Sequence, residues 1–457
     1  MILKKLLSLV LILLLAGFMV GCDKFLEGGI LDSDPNRATD APLLSLLAST
    51  QMVTNGFVEG DIGIFASLWM QHVAGVQQQY NSFEVYEITA EQFDGAWGQV
   101  YMEGGLIDMN EIEARATENK LRTVAGIAKM CEALVVATAA DVWGDMPYAQ
   151  AAQPSKYPAP KYDKQSAVHD AVLALIDEAI ADFVAGQEYF DGSYDFAFGG
   201  DVGKWIEAAH TLKARILLNW AKAKPGNYAL ALAEAQQGIS STDGNWQAYH
   251  SVAVGEENLF VQFKRDYGYI RVAANIVEMF KANNDPRLGF YFEPNSAGEY
   301  VGSANAEYNE SAIWMNPETF GNAAWHYDMV TWEENQFIIA ECQYNSSNEG
   351  GALTTLNATL TGIETRWADY LGGVSIPKYT GISGNDVLKA IMNEKYKALF
   401  LNPQIWTDWK RTGYPELTTA GNREVPRRFL YPADEANTNT NFPGVLGLYH
   451  RNENDPN

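Results

Sequence analysis

Residues 119–150 read N-K-L-R-T-V-A-G-I-A-K-M-C-E-A-L-V-V-A-T-A-A-D-V-W-G-D-M-P-Y-A-Q, and this stretch decides the fold. Val124, Ile127, Cys131, Leu134, Val135 and Thr138 recur at steps of three and four, the spacing of one helical face. Ala125, Ala128, Ala133, Ala137, Ala139 and Ala140 fill much of the remaining circumference. A helix that is apolar or small nearly all round is buried on several sides. Its exit, Trp143-Gly144-Asp145-Met146-Pro147-Tyr148, places a Gly and then a Pro where propagation must stop. The expectation is a central helix with other helices packed about it.

The flanking sequence supplies those helices. Ile62, Phe65, Trp69, Val73 and Val76 mark one running to Gln77-Gln78-Gln79, with a polar-aromatic connection from Tyr80 to Ile88. Phe93, Trp97, Tyr101 and Ile112 mark the next, and Gly104-Gly105 predicts a break within it. Beyond the Pro-rich segment 153–162, Val168, Val172, Leu175, Ala179 and Phe183 share a face. Trp205 to Trp220 and Tyr228 to Ile239 form a helical hairpin of tetratricopeptide-repeat size. A helix is expected near 270–282, a second hairpin over Trp332–Tyr344 and Leu353–Tyr370, and a last helix over Leu388–Leu399. The fold class is mainly α: a helical bundle with tetratricopeptide-repeat-like hairpins and long irregular loops.

The chain has 457 residues and a formal charge of -25. It opens with Lys4-Lys5, an apolar run from Leu6 to Val20, and Gly21-Cys22, the layout of a secretory signal. Met19-Val20-Gly21-Cys22 resembles a bacterial lipobox, which implies a signal peptide over 1–21 and a lipid on Cys22; a plain signal peptide that happens to meet a Cys is the alternative. Residues 22–42 then form a tether and entry loop, and 43–457 a single domain, since no Pro/Gly/Ser linker divides them. Loss of residues 1–21 removes two lysines and no acid, leaving -27. Such a surface without a basic cluster disfavours nucleic acid. Cys131 and Cys342 lie on apolar helical patterns and read as buried thiols, although a disulfide is open to them outside the cytosol.

No catalytic signature emerges. Asp32-Ser33-Asp34-Pro35-Asn36 has alternate oxygen ligands but lacks the Gly and the terminal acid of a calcium loop. Gly199-Gly200-Asp201-Val202-Gly203-Lys204 fails phosphate-loop spacing, and no two His residues stand four apart. The many carboxylates could supply a glycosidase pair, but they read more simply as solvated acids on helix faces. Neither a metal nor a cofactor is expected. What stands out is the aromatic content of 12 Trp, 23 Tyr and 20 Phe. Trp69, Trp97, Trp205, Trp332 and Trp367 fall at core spacing. Tyr80, Asn81 and Tyr86, and again Tyr300, Tyr308 and Trp314, lie among amides and acids in expected loops. Exposed rings beside polar groups suit the faces and hydroxyl rims of sugars. Covering the bundle or meeting a partner protein would use the same residues.

Seven segments, taken in order, resemble the SusD/RagB-type outer-membrane lipoproteins. They are Asp32–Asn36; the Trp143–Tyr148 exit with Pro160-Lys161-Tyr162-Asp163; Ala208–Leu218, containing K-A-R-I-L-L; Asn284-Asp285-Pro286-Arg287-Leu288; Glu334–Cys342; Trp406–Pro415; and Pro426–Pro432. Asn402-Pro403-Gln404 departs from the acidic, Gly-containing turn commoner in that family, and the residues to Asn457 lack its usual aromatic-acidic close. The resemblance implies a non-enzymatic, lipid-anchored protein on the surface of the outer membrane of a Gram-negative bacterium. It would bind an oligosaccharide or other nutrient and pass it to a SusC-like TonB-dependent transporter. The alternative is an outer-membrane scaffold that uses its hairpins to hold partners. Tyr80, Asn81, Tyr86, Tyr308 and Trp314 are the candidate ligand-binding residues.

Overall fold

A computed structural model describes residues 41–456 apart from positions 103 and 187. The signal segment, Cys22 and the Asp32–Asn36 loop lie outside the described residues. Residues from Leu46 onward form one compact unit.

The central helix runs Arg122–Trp143, and only Arg122, Lys129 and Thr138 escape burial. Among the described residues it is the one helix long and apolar enough to cross a membrane, yet 89% of that stretch is covered by protein. Each fully buried Val, Leu or Ile contributes roughly 1.5–3 kcal/mol. Its small residues admit close neighbours: a Cβ on Gly126 would stand 2.6 Å from the Phe183 ring. Phe183 belongs to Gln165–Ala185, the helix packed most extensively against the central one, with Leu106–Glu118 and Val202–Asn219 on its other sides.

At the exit, Gly144 has φ 88°, and a Cβ there would meet Asn452 Oδ1 at 2.6 Å. The following residues are tied down in turn. Asp163 Oδ2 accepts the Tyr148 and Ala149 N–H groups at 3.0 and 2.8 Å. Asp145 Oδ1 accepts the Gln165 N–H at 2.9 Å, and the Tyr431 hydroxyl donates to the Asp145 carbonyl at 2.7 Å. A later segment closes the end of the helix, where Asn454 Nδ2 donates to the buried Asp141 carboxylate at 2.8 Å.

Successive hairpins extend this core. Val202–Asn219, capped by the Asp201 carboxylate, turns back as Asn227–Ala235. Trp332–Asn345, capped by Thr331, turns back as Glu349–Arg366. Ala214, Leu218, Ala231 and Ala235 share one apolar cluster with Ile338 and Cys342, so the first hairpin packs on the second. Phe337, Leu356 and Leu360 pack in turn with Val387 and Ile391 of the Asn385–Ala398 helix. Cys131 and Cys342 are both buried free thiols.

Buried ion pairs tie several of the family-like segments into the core. Arg215 grips Glu334, with Nε donating at 2.6 Å, and Arg411 grips both Glu341 and Asp408. Arg287 pairs with Asp285 at 2.6 Å and Glu394 at 2.5 Å, and Lys397 adds a contact to each acid. Burial alone would raise the Glu394 carboxyl, but Arg287 and Lys397 outweigh it and hold the group at about 2.

Three expectations need correction. The predicted helix through Val73 and Val76 ends at Trp69, and Val73–Gly75 is a strand. The helix near 270–282 is a strand, Ile270–Val272, followed by Ala274–Lys281. The connection at Tyr80 contains a short helix, Tyr80–Glu84. The Gly104-Gly105 break does separate Asp94–Tyr101 from Leu106–Glu118.

Candidate functional site

The two corrected strands build the site. Val73–Gly75 runs antiparallel to Ile270–Val272, with Val73 opposite Val272 and Gly75 opposite Ile270. On the far side, Val272 N–H donates to the Ile313 carbonyl at 3.2 Å and Ser303 N–H to the Val272 carbonyl at 2.9 Å. Three segments remote in sequence thus lie side by side, and each carries aromatic residues to the same region. A Cβ on Gly75 would sit 2.0 Å from the Tyr80 carbonyl oxygen, so glycine is what lets the chain fold back so tightly there.

Tyr80 is buried, with its ring 5.0 Å from Phe263 and 6.0 Å from Tyr269. Tyr267 lies 5.2 Å from Phe263 and 5.5 Å from Tyr269, and it is 57% exposed. The rings form a continuous face that begins in the core and ends in water. Gly268, at φ 69°, makes the turn between Tyr267 and Tyr269, and Arg271 Nη1 holds that turn by donating to the Gly268 carbonyl at 2.9 Å. At the rim, Gln77 Nε2 donates to Glu310 Oε2 at 2.5 Å, and Arg271 Nε donates to the Glu310 carbonyl at 3.1 Å. Amide, guanidinium and carboxylate therefore border an aromatic face, the pairing that orients a hydroxylated ring.

The proposed residues separate in this geometry. Tyr80 supports the face from beneath. Trp314 is also buried, 7% exposed, with the Lys264 ammonium 5.9 Å from its ring centroid; Lys264 follows Phe263 in the chain. Tyr86 is buried 6.2 Å from Trp69, and its hydroxyl lacks a hydrogen-bond partner. Exposed platforms were expected at Tyr80, Tyr86 and Trp314, and there the rings are covered: Tyr80 packs on Phe83 and Phe263, Tyr86 on Trp69, and Trp314 lies beside Lys264. Asn81 sits on the short helix with its Oδ1 buried and unpartnered. Tyr308 is exposed, at φ 57°, on a loop joined to the Tyr80–Glu84 helix where Asn305 Nδ2 donates to the Glu84 carbonyl at 3.4 Å. Burial pushes the Glu84 carboxyl up to about 8.

Sequence reasoning missed Phe263, Tyr267 and Tyr269. The available signal was Asp266-Tyr267-Gly268-Tyr269, two tyrosines astride a glycine turn. No group of acids, histidines and cysteines among the described residues is arranged to hold a metal ion.

A family profile described as "SusD-like_2: Starch-binding associating with outer membrane" matches residues 35–432. The chain belongs to this SusD-like family. Its fold is that of solved SusD-like structures. A SusD/RagB family protein from Bacteroides thetaiotaomicron is 20% identical, with a TM-score of 0.71 over 88% of this chain and 95% of its own. A SusD homolog from Bacteroides fragilis is 19% identical, with a TM-score of 0.76 over 91% and 99%. A chitin-binding SusD homolog from Flavobacterium johnsoniae is 18% identical, with a TM-score of 0.73 over 90% and 99%. No curated protein matches the sequence.

Proposed function

We propose that this SusD-like protein is a surface lipoprotein that binds a neutral glycan at the Tyr267 face and hands it to a partner SusC-like TonB-dependent transporter. The observation that carries the reading is the aromatic face itself, exposed at Tyr267 and bordered by Gln77, Arg271 and Glu310. Tyr80, Asn81 and Trp314 act in it as supports beneath or beside the contact surface, and Tyr308 as a loop contact. The acidic surface disfavours polyanionic sugars. Binding and release suffice for this role, and no catalytic step is assigned. Lipid on Cys22 would keep the protein at the membrane, since each buried methylene adds ~0.8 kcal/mol.

Titration calorimetry with maltotriose, chitotriose, xylotriose and mannotriose tests the site. At least one should bind, and Tyr267→Ala should weaken that binding by about 30-fold, the ~2 kcal/mol expected of a central aromatic contact. Undiminished binding by the folded variant would reject the Tyr267 face. Copurification of a TonB-dependent transporter from the native membrane checks the partner. Labelled palmitate incorporation, lost in Cys22→Ala, checks the anchor.

A further inference from the structure

A second cleft opens near the other end of the Leu259–Asp266 helix that carries Phe263. It measures about 550 Å3 and is bounded by Met52, Asn55, Phe196, Tyr249, Glu256 and His326. We infer that this cleft is a second saccharide subsite, separate from the Tyr267 face. The inference rests on the reading of the protein as a glycan binder.

The walls are held by buried polar anchors. Glu59 is fully buried on the Leu43–Glu59 helix; its Oε1 accepts the Leu259 N–H at 2.7 Å and its Oε2 accepts His250 Nε2–H at 2.7 Å. His250 Nδ1 donates to the Glu256 carbonyl at 3.1 Å, so both ring nitrogens are donors and the ring is an imidazolium paired to Glu59. About two helix turns earlier, Gln51 secures the loop bearing Phe196. Its Nε2 donates to the Tyr194 carbonyl at 2.7 Å and its Oε1 accepts the Phe196 N–H at 2.9 Å. The cleft is thus shaped by interactions that exist without any ligand.

Its chemistry fits a neutral sugar. His326 Nδ1 accepts the His250 backbone N–H at 3.1 Å, which places the ring proton on Nε2. That Nε2–H is left to donate, since no acceptor among the described residues is bonded to it. The Tyr249 ring lies 4.4 Å from the His326 ring and is 51% exposed, and Phe196 is 39% exposed. Two aromatic surfaces therefore stand beside an imidazole donor, the Asn55 amide and the Glu256 carboxylate, which also accepts the Ser251 hydroxyl at 2.7 Å. Glu59 is neutralised by His250, and Glu257 by Arg265. Glu256 alone is left as an exposed charge, too well hydrated to hold a cation by itself. A purely apolar ligand would leave the imidazole and amide unsatisfied. Hydroxyl groups, which both donate and accept, match the set.

The test uses the purified full chain and the four trisaccharides above, with saturation-transfer NMR and calorimetry reporting the number of sites. Two sites are expected for a bound trisaccharide. Tyr249→Ala should weaken the cleft site at least tenfold and leave the Tyr267 site, while Tyr267→Ala should do the reverse. His326→Gln, which keeps an amide donor in the ring's place, should weaken the cleft site less than Tyr249→Ala and serves if that variant does not fold. A single site abolished by Tyr267→Ala overturns the cleft and leaves the proposed function standing. A single site abolished by Tyr249→Ala supports the cleft and overturns the Tyr267 face. Absence of binding by all four trisaccharides overturns both.

Discussion

The hairpin core and the aromatic face use similar residues to opposite ends. In the core, Arg287, Glu394, Asp285 and Lys397 satisfy one another almost completely out of water. At the face, Gln77 donates an amide N–H to the Glu310 carboxylate and Arg271 donates to the Glu310 backbone carbonyl, hydrogen bonds without an ion pair, near an exposed tyrosine. Truncating a buried partner strands the charge opposite it, whereas truncating a rim residue leaves its neighbours to water. The core charges therefore specify one fold, and the rim charges remain free to meet a ligand.

The largest effect expected from this contrast is on stability. Arg287→Ala should cost about 3–5 kcal/mol in denaturant unfolding, because Asp285 and Glu394 lose their shared guanidinium. Tyr267→Ala should change the same measurement by no more than about 0.5 kcal/mol. Equal losses in the two variants would erase the distinction between core and face.

A smaller effect, roughly 2–3 kcal/mol, should separate the buried Glu394 from the half-buried Glu113 by pH. Glu394 is held at about 2, below its ordinary value of 4.5, so its contribution is complete above that value and fades as pH falls toward 2. Glu113 has the opposite sign. Burial, and then the adjacent Glu132 carboxylate, raise it; Glu132 itself accepts the Tyr148 hydroxyl at 2.6 Å. Its contribution is complete below the ordinary carboxylate value and is lost as pH rises above it. Stability curves should show Glu113→Gln gaining on the parent from pH 5 to 8, and Glu394→Gln losing less at pH 3 than at pH 7. Parallel curves would sink both assignments. The smallest effect should be at the thiols: burial pushes Cys131 and Cys342 up to about 12, so neither should react with a thiol reagent until the protein unfolds.

How much was legible follows from where periodicity is strong. The central helix, both hairpins and the Gly104-Gly105 break could be read because many apolar residues recur at one period. The Leu43–Glu59 helix was not noticed; Thr50, Gln51, Thr54 and Glu59 are buried in it and blur its apolar face. The strands at 73–75 and 270–272 are three residues each, too short to show alternation, and their partners lie about 200 positions apart. The site failed for the same reason. Whether a tyrosine is exposed depends on which distant strand lies beside it, so Tyr80 and Trp314 looked like loop aromatics while Tyr267 passed unremarked.

The closure at Asp141 also bears on how the chain comes to be folded. The carboxylate at the end of the central helix is buried, and the Asn454 amide that meets it is 313 residues further on. A chain emerging vectorially would form the first helices early and hold that carboxylate without its last donor until the segment around Asn454 arrived. Large proteins in such a state expose sticky surface. The final lock on the central helix would be set only when the segment around Asn454 is in place.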